Sequence, residues 1–254
     1  MLKPSQNNLN YRVIGNGRPV VFLHGFLESM TMWEHLSFSN NIQQILIDLP
    51  GHGASDCNPE ELSMASVAKD VKIILDDLDL QEYQIVGHSM GGYVGLELKK
   101  IDARCKKIIL LHSNFWQDSL QKKNDRLRVS KVVRKNKKIF IYEAIPNLFL
   151  NPQKNDKEIK SLIDEAIQID AEVIAKYSIA MSERNDNTLF IQENKEDVLI
   201  VQGAEDAIVS CQKMKVSISI VGMKMIEIND CGHMGHIEKP EEINRILKRH
   251  LVKN

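Results

Sequence analysis

Gln84-Ile85-Val86-Gly87-His88-Ser89-Met90-Gly91-Gly92-Tyr93 runs from a short apolar segment, through a Gly-x-Ser-x-Gly pattern, into a helix-like stretch that continues to Ile101. Strand, sharp turn and helix is the context in which that pattern carries chemistry. The turn holds its serine in a strained conformation, with the hydroxyl exposed above the edge of a sheet. Glycines flank the serine because a Cβ at either place would collide with the neighbouring strand and helix. Alone, the pattern is short enough to arise by chance, and an isolated serine there reads equally well as a helix N-cap. The rest of the chain has to supply the partners of a nucleophile.

A hydroxyl needs a base to attack at neutral pH, and the base needs a third group to orient it. Two β-type runs downstream end in such groups. Val198-Leu199-Ile200-Val201-Gln202 leads into Gly203-Ala204-Glu205-Asp206, and Lys224-Met225-Ile226-Glu227-Ile228 leads into Asn229-Asp230-Cys231-Gly232-His233. The order along the chain is Ser89, Asp206, His233, which differs from the orders in the two major serine-protease folds.

On these residues the chain resembles the α/β-hydrolase family, and the likeness extends over most of its length. Pro19 to Phe26 resembles the family's strand leading into its oxyanion loop, and Asp48-Leu49-Pro50-Gly51-His52-Gly53-Ala54-Ser55 the turn after the next strand. Gly87 to Gly92 resembles the nucleophile elbow, Gly203 to Asp206 the acid loop, and Gly232 to Pro240 the histidine loop. Five motifs in the family's order are far more specific than any one of them.

The resemblance implies a role for each residue. Ser89 would be the nucleophile and His233 the base that takes its proton and returns it to the leaving group. His236 competes for that role, but the family's histidine follows a glycine and precedes a Glu-x-Pro, as His233 does with Gly232 and Glu238-Lys239-Pro240. Asp206 would orient the imidazole; Glu205, Asp197 and Asp230 read as solvated loop charge. The backbone N–H groups of Phe26 and Met90 are the candidates for an oxyanion hole, where preorganised donors face the developing charge.

Alternating strand and helix patterns argue for a mainly parallel sheet covered on both faces. The expected architecture is α/β, a mostly parallel eight-stranded sheet with helices on both faces and a helical cap insertion. Leu9 to Ile14 and Pro19 to Leu23, flanking Gly15-Asn16-Gly17, predict an opening hairpin. Residues 1–113 and 190–254 are assigned to the core, and 114–189, where the alternation gives way to helical spacing, to the cap. Leu127, Val132 and Val133, then Ile159, Leu162, Ile163 and Ile167, then Val173, Ile174 and Tyr177 carry that spacing.

With 33 Lys and Arg against 34 Asp and Glu, the net charge of −1 leaves no whole-molecule field to attract nucleic acid or an anionic membrane. The polar stretch Met1 to Asn10 lacks the apolar core of a secretory signal, no run is long enough to span a bilayer, and Cys57, Cys105, Cys211 and Cys231 lack paired spacing. A cytoplasmic protein with reduced thiols is expected. His24, His52, His88, His233 and His236 belong to separate turns without zinc-type spacing, and Gly15-x-Gly17 is not a dinucleotide fingerprint, so no metal or cofactor is expected.

Serine at position 89, where aspartate would imply dehalogenase or epoxide-hydrolase chemistry, favours acyl transfer to water. The leading expectation is hydrolysis of small-molecule carboxylic esters. Alternatives are a C–C bond hydrolase, an aminopeptidase using a cap carboxylate (Glu143, Glu158, Glu165, Glu172 or Glu183) to hold an amine, or a ligand-binding receptor on the same fold. Between Gln121 and Lys138 nine Lys or Arg face the single acid Asp125. That segment reads as a wet helix face, or as a field drawing an anionic substrate to the pocket mouth.

Overall fold

In the computed structural model, which describes residues 8–38 and 41–251, an extended segment and a loop alternate with helices in the predicted manner. The strands are β1 (Tyr11–Ile14), β2 (Arg18–Leu23), β3 (Ile42–Ile47), β4 (Tyr83–His88), β5 (Cys105–Leu111), β6 (Val198–Gly203) and β7 (Met225–Ile228). Helices α1 (Met64–Asp77) and α2 (Met90–Ile101) flank β4. Then α3 (Leu120–Ala144), α4 (Asp156–Ala166), α5 (Ala171–Ser182) and α6 (Thr188–Glu193) lie between β5 and β6 in the chain. The last three are α7 (Cys211–Val221), α8 (Gly235–Glu238) and α9 (Pro240–Leu251). Most of the polar stretch Met1 to Asn10, with the signal-peptide reading made on it, lies outside the described residues.

The sheet order is β1-β3-β2-β4-β5-β6-β7, with β1 antiparallel to β3 and every other pair parallel. Two expectations are corrected. The opening hairpin does not form: β1 pairs with β3, and β2 lies beyond it between β3 and β4. Burial explains the choice. Val20, Val21, Phe22 and Leu23 are fully buried and need cover on both faces and both edges, whereas all four residues of β1 are exposed and suit an edge. The sheet among the described residues has seven strands, not eight. The runs Gln44-Ile45-Leu46-Ile47-Asp48 and Lys106 to Leu111 supply β3 and β5, and no further run supplies an eighth strand among the described residues.

Because side chains alternate across a strand, successive buried residues feed two cores. Val21, Leu23, Ile85, Ile108 and Leu110 pack with Val67, Val71 and Leu75 of α1 and Val94 of α2. Val20, Phe22, Val86, Ile109 and Leu111 pack with Trp33 and with Ile243 and Leu247 of α9. Strands buried on both faces read as continuous apolar runs, as these do.

The helices between β5 and β6 bury Ile159, Leu162, Ile163, Val173, Ile174 and Tyr177 as their spacing predicts, and these join the same cluster as α1 and α2. In α3 only Val133 of the three apolar picks is buried; Leu127 is 42% and Val132 39% exposed. That helix breaks at Asn136, whose backbone is non-helical (φ −155°, ψ 83°). All four cysteines are free. Among the described residues no helix is long and apolar enough to cross a membrane.

Candidate active site

Six parallel strands end at one edge of the sheet, and the loops that follow β2, β4, β6 and β7 meet there, as expected for ligand sites in open α/β sheets. Ser89 sits between β4 and α2 with φ 48° and ψ −112°, a conformation that side chains with a Cβ rarely adopt. The neighbours hold it there. Ser89 N donates to Leu111 O at 3.0 Å, and Ser113 Oγ donates to Ser89 O at 2.6 Å. Glycine is required on both sides: a Cβ at Gly87 would meet the Gly91 carbonyl at 2.6 Å, and one at Gly91 would collide with the Leu23 carbonyl.

Ser89 Oγ lies 2.9 Å from His233 Nε2, and His233 Nδ1 lies 2.9 Å from Asp206 Oδ2. Ser89, 144 positions from His233, thus joins His233 and Asp206 in one hydrogen-bonded line. The acid is itself organised. Its Oδ1 accepts from the Ile208 and Val209 amides, and its Oδ2 accepts from Gln202 Nε2 as well as from the imidazole. Burial alone would raise the Asp206 carboxyl, but the neighbouring His233 and the donated hydrogen bonds outweigh it and hold it well below the usual carboxylate range. An anionic acid hydrogen-bonded to Nδ1–H leaves Nε2 free to accept the serine proton.

His112 lies 3.4 Å from the same carboxylate. It is not an ion-pair partner: its Nδ1 accepts from the Gly203 amide at 3.3 Å, and burial pulls its pKa down to about 4, so the ring is neutral. His236 is fully buried behind His88 with its Nε2 3.9 Å from Glu28, so it is the imidazole of His233, not of His236, that meets the hydroxyl. Glu205 accepts from the Cys231 amide and Asp197 pairs with Lys99, both structural uses.

Sequence reasoning missed Glu28 and His88. Glu28 Oε2 accepts from the Gly25 amide at 2.6 Å and meets His88 Nδ1 at 2.8 Å, while His88 Nε2 faces the His233 carbonyl at 3.0 Å. A ring nitrogen facing a carbonyl must carry a proton, and one facing a carboxylate oxygen that already accepts an N–H must carry one too. His88 is therefore an imidazolium. Burial would depress it, but Glu28 outweighs that and raises its pKa; burial would raise Glu28, but His88 pulls it down to about 2. The pair ties together the loop after β2, the elbow and the histidine loop. Nothing in the spacing of positions 28 and 88 announces it. Glu238 has a comparable place, accepting from the Gly232 and Leu150 amides, which accounts for an acid after the histidine.

Folding also gathers the histidines that the sequence kept apart. Glu28, His88 and His236, and likewise His112, Asp206 and His233, offer ligand atoms all within 4.8 Å of one another. The shortest contact in each group, 2.8 and 2.9 Å, is a hydrogen bond that needs a proton where a metal ion would sit.

Ser89 and His233 open on a cavity of about 330 Å³, within the range of small-molecule sites. Phe26, Val129, Phe140, Leu148 and Met181 make most of its wall apolar. Phe26 follows the end of β2, and Met90 opens α2 with its side chain fully buried. None of Glu143, Glu158, Glu165, Glu172 and Glu183 lines the cavity; Glu165 accepts from Ser29 and Thr31, and Glu172 pairs with Arg134.

A family model described as alpha/beta hydrolase fold matches residues 18–240. A thermophilic esterase from Thermogutta terrifontis, solved with malate bound, superposes with a TM-score of 0.88 at 28% identity, covering 95% of this chain and 92% of that one. The enol-lactonase of Burkholderia xenovorans shares the fold with a TM-score of 0.84 at 18% identity, over 97% of both chains. In sequence, the dihydrolipoyllysine-residue acetyltransferase component of the acetoin cleaving system of Pseudomonas putida is 25% identical over 250 residues. The match covers 94% of this chain and only 64% of that protein's length.

Proposed function

The chain belongs to the α/β-hydrolase family, and from that premise we propose that it hydrolyses small-molecule carboxylic esters through an acyl-enzyme on Ser89. The observation that carries this is the unbroken line from Ser89 Oγ through His233 to Asp206, with both links at 2.9 Å, opening on an apolar cavity. His233 Nε2 takes the hydroxyl proton as Oγ attacks the ester carbonyl. The Phe26 and Met90 amides face the oxyanion, where loss of one donor typically costs on the order of a hundredfold to a thousandfold in rate. His233 then protonates the departing alcohol, and water repeats the sequence on the acyl-enzyme. Throughout, Asp206 fixes the tautomer and stabilises the imidazolium. Residues 114–189, with α3 to α5, act as a cap that shapes the acyl pocket and limits water.

Acyl transfer to an acceptor other than water uses the same intermediate, and the likeness to the acetyltransferase component supports it as a second reading. An aminopeptidase is disfavoured, because the glutamates that would hold an amine lie away from the cavity.

A fluorophosphonate probe should label Ser89, located by mass spectrometry. Turnover of a short p-nitrophenyl ester should fall on the order of 10⁴-fold or more in Ser89→Ala. Labelling elsewhere, or no turnover of any acyl donor alongside tight ligand binding, would replace the enzyme with a receptor on the same fold.

A further inference from the structure

The cavity around Ser89 has two chemically different ends. Phe140, Ala144 and Leu148 line an apolar part, whereas Lys122, Asp125 and Arg126 of α3 line it near Tyr93 and Ile208. Tyr93, Lys122, Arg126 and Ile208 also border an adjoining hollow of about 190 Å³, so this cationic group stands at the neck between the two spaces. Tyr93 is four residues beyond Ser89 on α2, about 6 Å along the helix.

The charges at the neck do not cancel. Asp118 is taken up twice, by Arg126 Nε at 2.5 Å and by Arg184 at 2.8 Å. Asp125 accepts from Gln121 and pairs with Arg128. Lys122 is left over: among the described residues no carboxylate lies within salt-bridge distance of its ammonium. Moreover it sits one turn from Arg126 on α3, and like charges at that spacing repel. Lys122, Arg126 and Arg184 stand against Asp118 and an Asp125 that is shared with Arg128, so the neck keeps a net positive charge that favours an incoming anion. Lys122 is an exposed residue as a whole, yet partial burial of its ammonium and, after it, the Arg126 guanidinium pull its pKa below its ordinary value, outweighing Asp118 and Asp125. A bound carboxylate would relieve both.

Resting on the serine-hydrolase reading, we infer that Lys122, backed by Arg126, holds a second carboxylate of the substrate, so that the preferred esters are hemiesters of short dicarboxylic acids. The scissile carbonyl lies at Ser89 and the free carboxylate at the neck about one helical turn away. The alkyl group of the alcohol occupies the apolar part.

The test compares kcat/KM for monoethyl glutarate with that for ethyl valerate, a neutral ester of similar length. Wild type favours the hemiester. In Lys122→Met the ratio of the two values falls about tenfold or more, the loss expected for one charge-assisted hydrogen bond, and Lys122→Arg restores most of it. Lys131→Met removes an equal charge from a part of α3 that does not line the cavity and leaves the ratio as it was. A ratio unmoved in Lys122→Met, or moved equally in Lys131→Met, overturns the carboxylate subsite while leaving the hydrolase intact. A wild type that labels at Ser89 yet prefers ethyl valerate does the same. A wild type that turns over neither ester and does not label overturns both readings.

Discussion

In the proposed mechanism Ser89 and the residues touching it carry most of the chemistry, and the Glu28–His88 pair shows how much of the arrangement depends on groups outside that line. A buried ion pair is costly to desolvate, and breaking one partner leaves an uncompensated charge. Its charge state makes a pH prediction. Glu28 is depressed from 4.5 to about 2, so its contribution to stability is complete above about pH 4.5 and is lost as the pH falls toward 2. His88 is raised above 6.5, so its contribution is complete below that value and is lost as the pH climbs through the raised one. Both are in force between about pH 4.5 and 6.5. Denaturant unfolding should therefore show Glu28→Gln weakest relative to wild type in that window, with the difference shrinking on the acid side. A difference independent of pH would mean that the pair is neutral.

At the scale of elements, α3 is the least regular part of the fold and the one that presents Lys122, Arg126, Val129 and Phe140 to the cavity. Its two halves meet at Asn136, whose Oδ1 accepts from the Ile139 amide at 3.1 Å, a cap on the second half. Removing such a cap costs about 1 kcal/mol. Asn136→Ala should lower the melting temperature by roughly 2–4 °C in a protein of this size. An unchanged or higher melting temperature would mean that a straight helix is at least as stable and that the break is held from elsewhere. The helix was legible in the spacing of Leu127, Val132 and Val133, but the break was not, because asparagine at mid-helix has no distinctive neighbours in sequence. Likewise the elbow was legible in Gly87 and Gly91, since close backbone approach admits only glycine there.

The whole molecule carries a net charge of −1, so any response of catalysis to salt must come from local charge. Between about 0.01 M and 0.15 M salt, kcat/KM for ethyl valerate should stay nearly level, while that for monoethyl glutarate falls as Lys122 and its neighbours are screened. Equal slopes for the two esters would remove the electrostatic component of the subsite.

The chain by itself determined the α/β class and pointed to Ser89, Asp206 and His233 as three residues that meet in the fold. Helical and strand periodicity, glycine at tight turns and motif spacing are all properties of near neighbours. Only the tertiary structure decided that β1 pairs with β3 rather than β2, that the sheet holds seven strands among the described residues, and that Glu28 meets His88. It alone also left Lys122, of nine basic residues in its segment, at the cavity neck without an acid partner. Each of those outcomes depends on which distant groups arrive at the same place, and a strand's neighbours or a charge's partner are fixed by burial and packing across the fold, not by the residues beside them in the chain.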